Sequence, residues 1–162
     1  METGFADVEA LEERLSRPDD SVVSDLADID GDIMVLGATG KIGPSLTRMA
    51  RRAAPDKQVI AVARFSDPSL LAQFKQQDVD TIQCDLLDPS AVAALPAVRN
   101  VILMTGYKFG ATGNPARTWA INTLLPAQVA ATLRGRRLVA FSTGCVYPFV
   151  PIASNGATED YP

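Results

Sequence analysis

The stretch Val35–Ala50, VLGATGKIGPSLTRMA, decides how this chain is read. Glycines stand at Gly37, Gly40 and Gly43, directly after an apolar run and directly before a helical pattern. Strand, glycine turn and helix in that order are the setting in which such a loop cradles phosphates. A helix N-terminus presents unpaired amides and the positive end of its dipole. In that role Gly37 permits the tight turn, Gly40 lets the backbone approach a pyrophosphate, and Gly43 allows close helix–strand packing. The bland alternative is a glycine turn with no ligand. A Walker-type phosphate loop is excluded by spelling, because Ile42 stands in the Ser/Thr place after Lys41 and Val35 in that of the first glycine.

Outward from this loop the chain alternates. DIMVLG (32–37), QVIAVAR (58–64), VDTIQCD (79–85), RNVILMTG (99–106) and RRLVAFSTG (136–144) read as strands. GPSLTRMARRAA (43–54), PSLLAQFKQQ (68–77), DPSAVAALPA (88–97) and NPARTWAINTLLPAQVAATLRG (114–135) read as helices, the last with Asn114 as N-cap and Pro115 at the first helical position. The strands are continuous apolar runs, the pattern of a parallel sheet covered on both faces. This predicts an α/β, doubly wound parallel sheet in order 3-2-1-4-5. Residues 1–30 form a helical appendage, with Val8, Leu11 and Leu15 at helical spacing closed by Pro18, then an acidic lead-in. Residues 31–162 form the dinucleotide-binding domain.

Composition bounds the chemistry. The chain has 162 residues, 47% hydrophobic and 21% charged, enough for one domain with a real core. A net charge of −4 offers no basic footprint for nucleic acid. No apolar run approaches the ~20 residues that cross a bilayer, and METGFADVEALEERL is acidic where a leader would be basic and then apolar. A cytoplasmic protein without membrane or nucleic-acid partners is expected. With no histidine, Ser-His-Asp triads and His-ligated metals are excluded. Cys84 and Cys145 fit no metal-binding spacing, so no metal is expected and both read as buried reduced thiols.

GATGKIG is GxxGxxG, not GxGxxG. With the motifs that follow, the chain resembles the extended short-chain dehydrogenase/reductases, the NAD(P)-dependent sugar-nucleotide epimerase/dehydratase family, from about Asp32 to Tyr147. The resemblance implies a truncated Rossmann domain that holds a cofactor through Gly37, Thr39, Gly40, Lys41, Ile42 and Gly43. Ala63 stands where NAD-using relatives carry Asp, and Arg64 follows. A guanidinium suits a 2′-phosphate, which favours NADP over NAD; a solvated arginine at a strand end is the alternative. Asp85 and Leu86 inherit a place at the adenine ring, although an Asp there also caps turns. Thr105 and Gly106 match the small pair beside the ribose and phosphates. Lys108 sits where some hexose epimerases place a lysine near the phosphates, with a solvated loop lysine the alternative. Asn122 matches the helix asparagine behind the active site.

FSTGCVYP (141–148) resembles the family's SSxxVYG, which maps the catalytic hydroxyl to Thr143 with Ser142 beside it. Pro148 departs from the usual glycine. The family's chemistry also needs Tyr-x-x-x-Lys, in which the lysine lowers the tyrosine pKa. Ala111 and Pro151 stand four residues after Tyr107 and Tyr147, and only Pro162 follows Tyr161. By the family's spacing the pair falls just past Pro162. The sequence is therefore expected to stop before its catalytic helix and substrate domain, and to bind nucleotide without turnover. The first functional reading is the N-terminal part of an NAD(P)-dependent epimerase, dehydratase or reductase acting by hydride transfer on a nucleotide-sugar or related carbonyl or carbinol substrate. The alternative is a non-catalytic NADP-binding sensor. A sheet left partly uncovered beside the fifth strand predicts a homodimer or self-association.

Overall fold

A computed structural model of the chain describes residues 4–108 and 111–160. Five short parallel strands form one sheet: β1 (Ile33–Leu36), β2 (Val59–Ala63), β3 (Asp80–Gln83), β4 (Asn100–Leu103) and β5 (Arg137–Ala140). Their order is β3-β2-β1-β4-β5, as the alternating pattern predicts. Ile33 lies opposite Val59 on one side and Asn100 on the other, so β1 is the central strand.

The core shows why β1 and β2 are apolar at every position. Met34, Leu36, Ile60 and Val62 point into a cluster with Val92, Leu125 and Val129, below the helices α5 (Pro89–Ala93) and α7 (Leu125–Thr132). Ile33, Val35, Val59 and Ala61 point the other way, into a cluster with Ala50 of α3 (Gly43–Ala53) and Phe74 of α4 (Pro68–Gln76). Alternate side chains therefore meet a helix layer on each face. The outer strands are less covered; Val139 on β5 is 60% exposed.

Two helices precede the sheet, α1 (Val8–Leu15) and α2 (Asp20–Asp28). The acidic lead-in is thus a helix, started by the Asp19 carboxylate accepting from the Val22 amide at 2.9 Å. The α1 helix sits on the outside of α3. Glu12 accepts from the Ser45 hydroxyl at 2.7 Å, and Glu13 pairs with Arg48 at 2.9 Å and Arg52 at 2.8 Å. The Arg52 hydrogen bond is the main cause holding the Glu13 carboxyl below its ordinary value.

At the lower edge of the sheet the buried Asn100 donates to the carbonyls of Asp30, Gly31 and Asp32, each at 3.0 Å, tying the entry of β1 to β4. Asp30 also pairs with Arg99 and Arg137. The Arg137 hydrogen bond is the largest cause lowering its pKa, opposed by desolvation and helped by the charges of both arginines. A carboxyl with a lower pKa folded than unfolded adds stability above its unfolded value, and loses it as pH falls through the folded one. Asp30→Asn is accordingly expected to melt below the wild type at neutral pH, with the gap closing under pH about 3.9. Thermal unfolding followed across pH checks this; a gap independent of pH would remove the ion-pair account.

Between β4 and β5 the long helix is not uniform. α6 (Pro115–Trp119) runs into a π turn (Ala120–Leu124) before α7. The Leu125 amide reaches back to the Ala120 carbonyl, five residues earlier. Pro126 has no N–H to give the Asn122 carbonyl, so the helix widens there. Beyond β5 a 3-10 turn (Gly144–Val146) leads into exposed chain. Cys84 is buried, but Cys145 in that turn is exposed, which corrects the expectation that both thiols are interior. The run 141–149 around it is exposed throughout, so neither helix layer covers the thiol.

Candidate functional site

A cleft of about 310 Å³ opens at the C-terminal ends of β1 to β4. This is where the strand order reverses, with β2 to one side of β1 and β4 to the other, and loops diverge around a hollow. Its middle is the glycine loop. Gly37 has φ +84°, a conformation that L side chains rarely adopt. Its amide donates to the Val62 carbonyl at 2.9 Å, and a Cβ there would lie 2.9 Å from the Thr105 methyl. The loop closes through Gly40 N–H to Gly37 O and Gly43 N–H to Gly40 O, both 3.1 Å. Among the described residues, the amides of Thr39, Lys41 and Ile42 have no acceptor, and α3 has no side-chain cap at Ile42. The start of α3 is thus a set of free donors over the positive end of a helix dipole, a concavity suited to an anion.

On the β2 and β3 side the lining is Ala63, Arg64, Cys84, Asp85, Leu86 and Leu87. The Arg64 carbonyl accepts from the Gln83 side chain at 3.0 Å, while its guanidinium has no hydrogen bond or ion pair among the described residues. Asp85 both lines the cleft and caps its own turn, accepting from the Leu87 amide at 3.0 Å. Burial, with Asp85 and Asp88 nearby, raises the Cys84 pKa, so the thiol stays neutral and a poor nucleophile.

On the β4 side the lining is Met104, Thr105, Gly106 and Tyr107, with Arg117, Ile121 and Leu125 from the helix above. Among the described residues, the buried Thr105 hydroxyl oxygen has no hydrogen-bond partner. Asn122 accepts from the Tyr107 amide at 2.7 Å and donates to its carbonyl at 3.0 Å, so it fixes the loop after β4.

Of the residues singled out in the sequence, the cleft gathers Gly37, Thr39, Gly40, Arg64, Asp85, Leu86, Thr105 and Gly106. Gly43 is buried under the loop, and Lys41 and Ile42 carry exposed side chains beside it. Lys108 is exposed and Asn122 stands behind Tyr107; neither lines the cleft. Ser142 and Thr143 leave the sheet one strand further on, exposed, with the Thr143 hydroxyl accepting from the Cys145 amide at 3.3 Å. Sequence reading passed over Arg117 and Tyr107. The Arg117 guanidinium lies 5.4 Å from the centre of the Tyr107 ring. A second hollow, about 370 Å³, lies between α2, α3 and the β4–β5 face and is lined by apolar side chains, with Asn100 and Arg137 among them.

The family model described as "NAD dependent epimerase/dehydratase family" matches residues 33–162, from the first strand onward. The chain belongs to that family. Solved structures with the same fold include an ADP-L-glycero-D-manno-heptose-6-epimerase from Helicobacter pylori, at TM-score 0.65 and 15% identity, covering 85% of this chain and 45% of that one. The epimerase Mth375 from Methanothermobacter thermautotrophicus gives TM-score 0.64 and 20% identity, over 83% and 42%. The Bordetella bronchiseptica enzyme WbmF, solved with NAD+ and UDP, gives 0.59 and 17%, over 82% and 41%. The present sequence spans less than half the length of each of these epimerase-fold proteins. No curated protein matches it. Among the described residues, no helix is long and apolar enough to cross a membrane.

Proposed function

We propose that the cleft binds a nicotinamide adenine dinucleotide, NADP in preference to NAD, and that the chain is the cofactor-binding part of an epimerase, dehydratase or reductase acting on a nucleotide-sugar or related carbonyl or carbinol compound. The carrying observation is the glycine loop at the strand-order reversal, with Gly37, Thr39 and Gly40 lining the hollow and, among the described residues, the amides of Thr39, Lys41 and Ile42 left without an acceptor at the start of α3. The residues fit the group in two further respects. The orphaned Thr105 hydroxyl would gain a partner in a ribose or phosphate oxygen. The volume is that of an ordinary ligand pocket, ~300 Å³ or more.

When bound, such a cofactor takes up or gives back a hydride at its nicotinamide ring. The chain's own residues have other work. The loop amides hold the pyrophosphate, Arg64 faces the adenosine 2′-position, and Asp85 and Leu86 wall the adenine. Thr105 and Gly106 seat the ribose and phosphates, and Asn122 keeps the loop behind them in place. In this reading Thr143, with Ser142, offers a hydroxyl to the substrate oxygen that gains or loses a proton. The Thr143 oxygen accepts from the Cys145 amide at 3.3 Å, which leaves its O–H to donate to a substrate oxygen. Calorimetric titration of the chain with NADP+ and NAD+ tests the proposal. Saturable binding of both, tighter for NADP+, is expected; heat of dilution alone up to millimolar ligand would end it.

A further inference from the structure

Two cationic side chains line the cleft, Arg64 and Arg117. Arg64 follows β2, and Arg117 packs over Tyr107 in the loop after β4. Because β1 lies between those strands, its glycine loop has one guanidinium on each side. Arg117 sits in the five-residue α6, and among the described residues no carboxylate or hydrogen bond engages its guanidinium. What holds it is the Tyr107 ring, and the Tyr107 peptide is in turn held at both its N–H and its C=O by Asn122 from the π turn. A polar clamp on one loop residue, a widened helix turn to supply it, and an otherwise unengaged cation over that residue together describe a seat for an anion.

We propose that Arg117 is the pyrophosphate counter-cation on the β4 side of the cleft, with Tyr107 and Asn122 as its positioning residues. The inference rests on the dinucleotide reading above and adds to it a residue for the central anion. The loop amides supply fixed dipoles at that point, and Arg117 supplies the full charge, with paired N–H donors matched to phosphate oxygens. Arg64 then serves a separate, peripheral phosphate, so the two arginines divide the ligand's charges between them. Lys108, exposed outside the lining, is not needed for either.

The test is a ligand series on the full chain, measured by calorimetry with adenosine 2′-monophosphate, ADP and NADP+. Arg117→Ala should weaken ADP and NADP+ about tenfold and leave adenosine 2′-monophosphate within about twofold. Tyr107→Leu should give the same pattern in smaller measure, since the Asn122 bonds use only the Tyr107 backbone and survive. Arg117→Lys should recover part of the ADP affinity, because it returns the charge without the paired donors. If Arg117→Ala lowers the melting temperature, the Arg117→Lys and Tyr107→Leu series carries the test. Equal losses for all three ligands, or no loss with ADP, would overturn the inference while leaving the dinucleotide reading in place. A wild-type chain that binds none of the three ligands overturns both.

Discussion

Replacing Gly43 by alanine is expected to destabilise the chain by about 3 kcal/mol and to lower its melting temperature by roughly 6–12 °C. A Cβ at this position would lie 2.2 Å from the Ala38 carbonyl oxygen, 2.6 Å from its carbon and 2.9 Å from its Cα. All three atoms are backbone, and Ala38 is fully buried, so no rotamer change relieves the overlap. Either the first turn of α3 moves off the loop, or the loop moves off the sheet and breaks the bonds that Gly37 and Ala38 make to the Val62 carbonyl. Against a total stability of ~5–15 kcal/mol for a domain, a loss of this size is large. Gly40→Ala is the matching control. Its Cβ would meet nothing closer than the Gly37 carbonyl at 3.4 Å, an ordinary contact, so the melting temperature should stay within about two degrees. Dinucleotide affinity should fall in both variants, because Gly40 borders the cleft and Gly43 sets the loop. If Gly43→Ala melts like the wild type, close packing of helix on loop is not what that glycine provides.

The pair of variants separates two things that one motif carries, a scaffold requirement and a ligand requirement, and the same division governs what could be read in advance. The sheet was legible because a strand covered on both faces must be apolar throughout, and Ile33 to Leu36 and Val59 to Ala63 are. The strand order followed from the alternation with helices and from the right-handed crossovers it forces. The α2 helix was not legible as a helix, since its few apolar residues, Val22, Val23 and Leu26, are spread among acids; its signal was Asp19 three residues ahead of Val22. The π turn was likewise hidden in a strong helical pattern, although Pro126 inside that pattern marked a missing amide. Motif position led to Gly37, Thr39, Gly40, Arg64, Asp85, Leu86, Thr105 and Gly106 along the cleft, because backbone topology sets the ends of β1 to β4, whereas Ser142 and Thr143 at the end of β5 lie outside its lining. Arg117 and Tyr107 escaped because their meeting depends on how a loop folds back against a helix, which no local spacing encodes.

Arg64→Ala is expected to lower NADP+ affinity roughly ten- to thirtyfold and to leave NAD+ affinity within about twofold. The magnitude follows from losing a charge-assisted, paired contact worth about 1.5–2 kcal/mol, the lower part of the usual range because the side chain is exposed and salt screens it. Three features of the site set the direction. Ala63 provides no carboxylate to accept from a ribose 2′-hydroxyl, so the site lacks the group that would favour NAD. The Arg64 backbone is fixed by the Gln83 side chain, yet its guanidinium has no ion pair to give up on binding. Asp85, the acid nearby on the same side of the cleft, accepts from the Leu87 amide and, among the described residues, forms no ion pair with Arg64. Because the contact is ionic, the preference for NADP+ over NAD+ should shrink as salt is raised from 0.05 to 0.5 M in the wild type and be flat in Arg64→Ala, at ionic strengths where the screening length falls from above ~10 Å to well below it. Ala63→Asp makes the complementary change. It adds the missing acceptor beside the ribose and repels a 2′-phosphate, so the doubly substituted chain, Ala63→Asp with Arg64→Ala, should prefer NAD+. A double variant that keeps the wild-type preference would mean that the 2′-position lies away from β2, and that Arg64 is a solvated strand-end arginine.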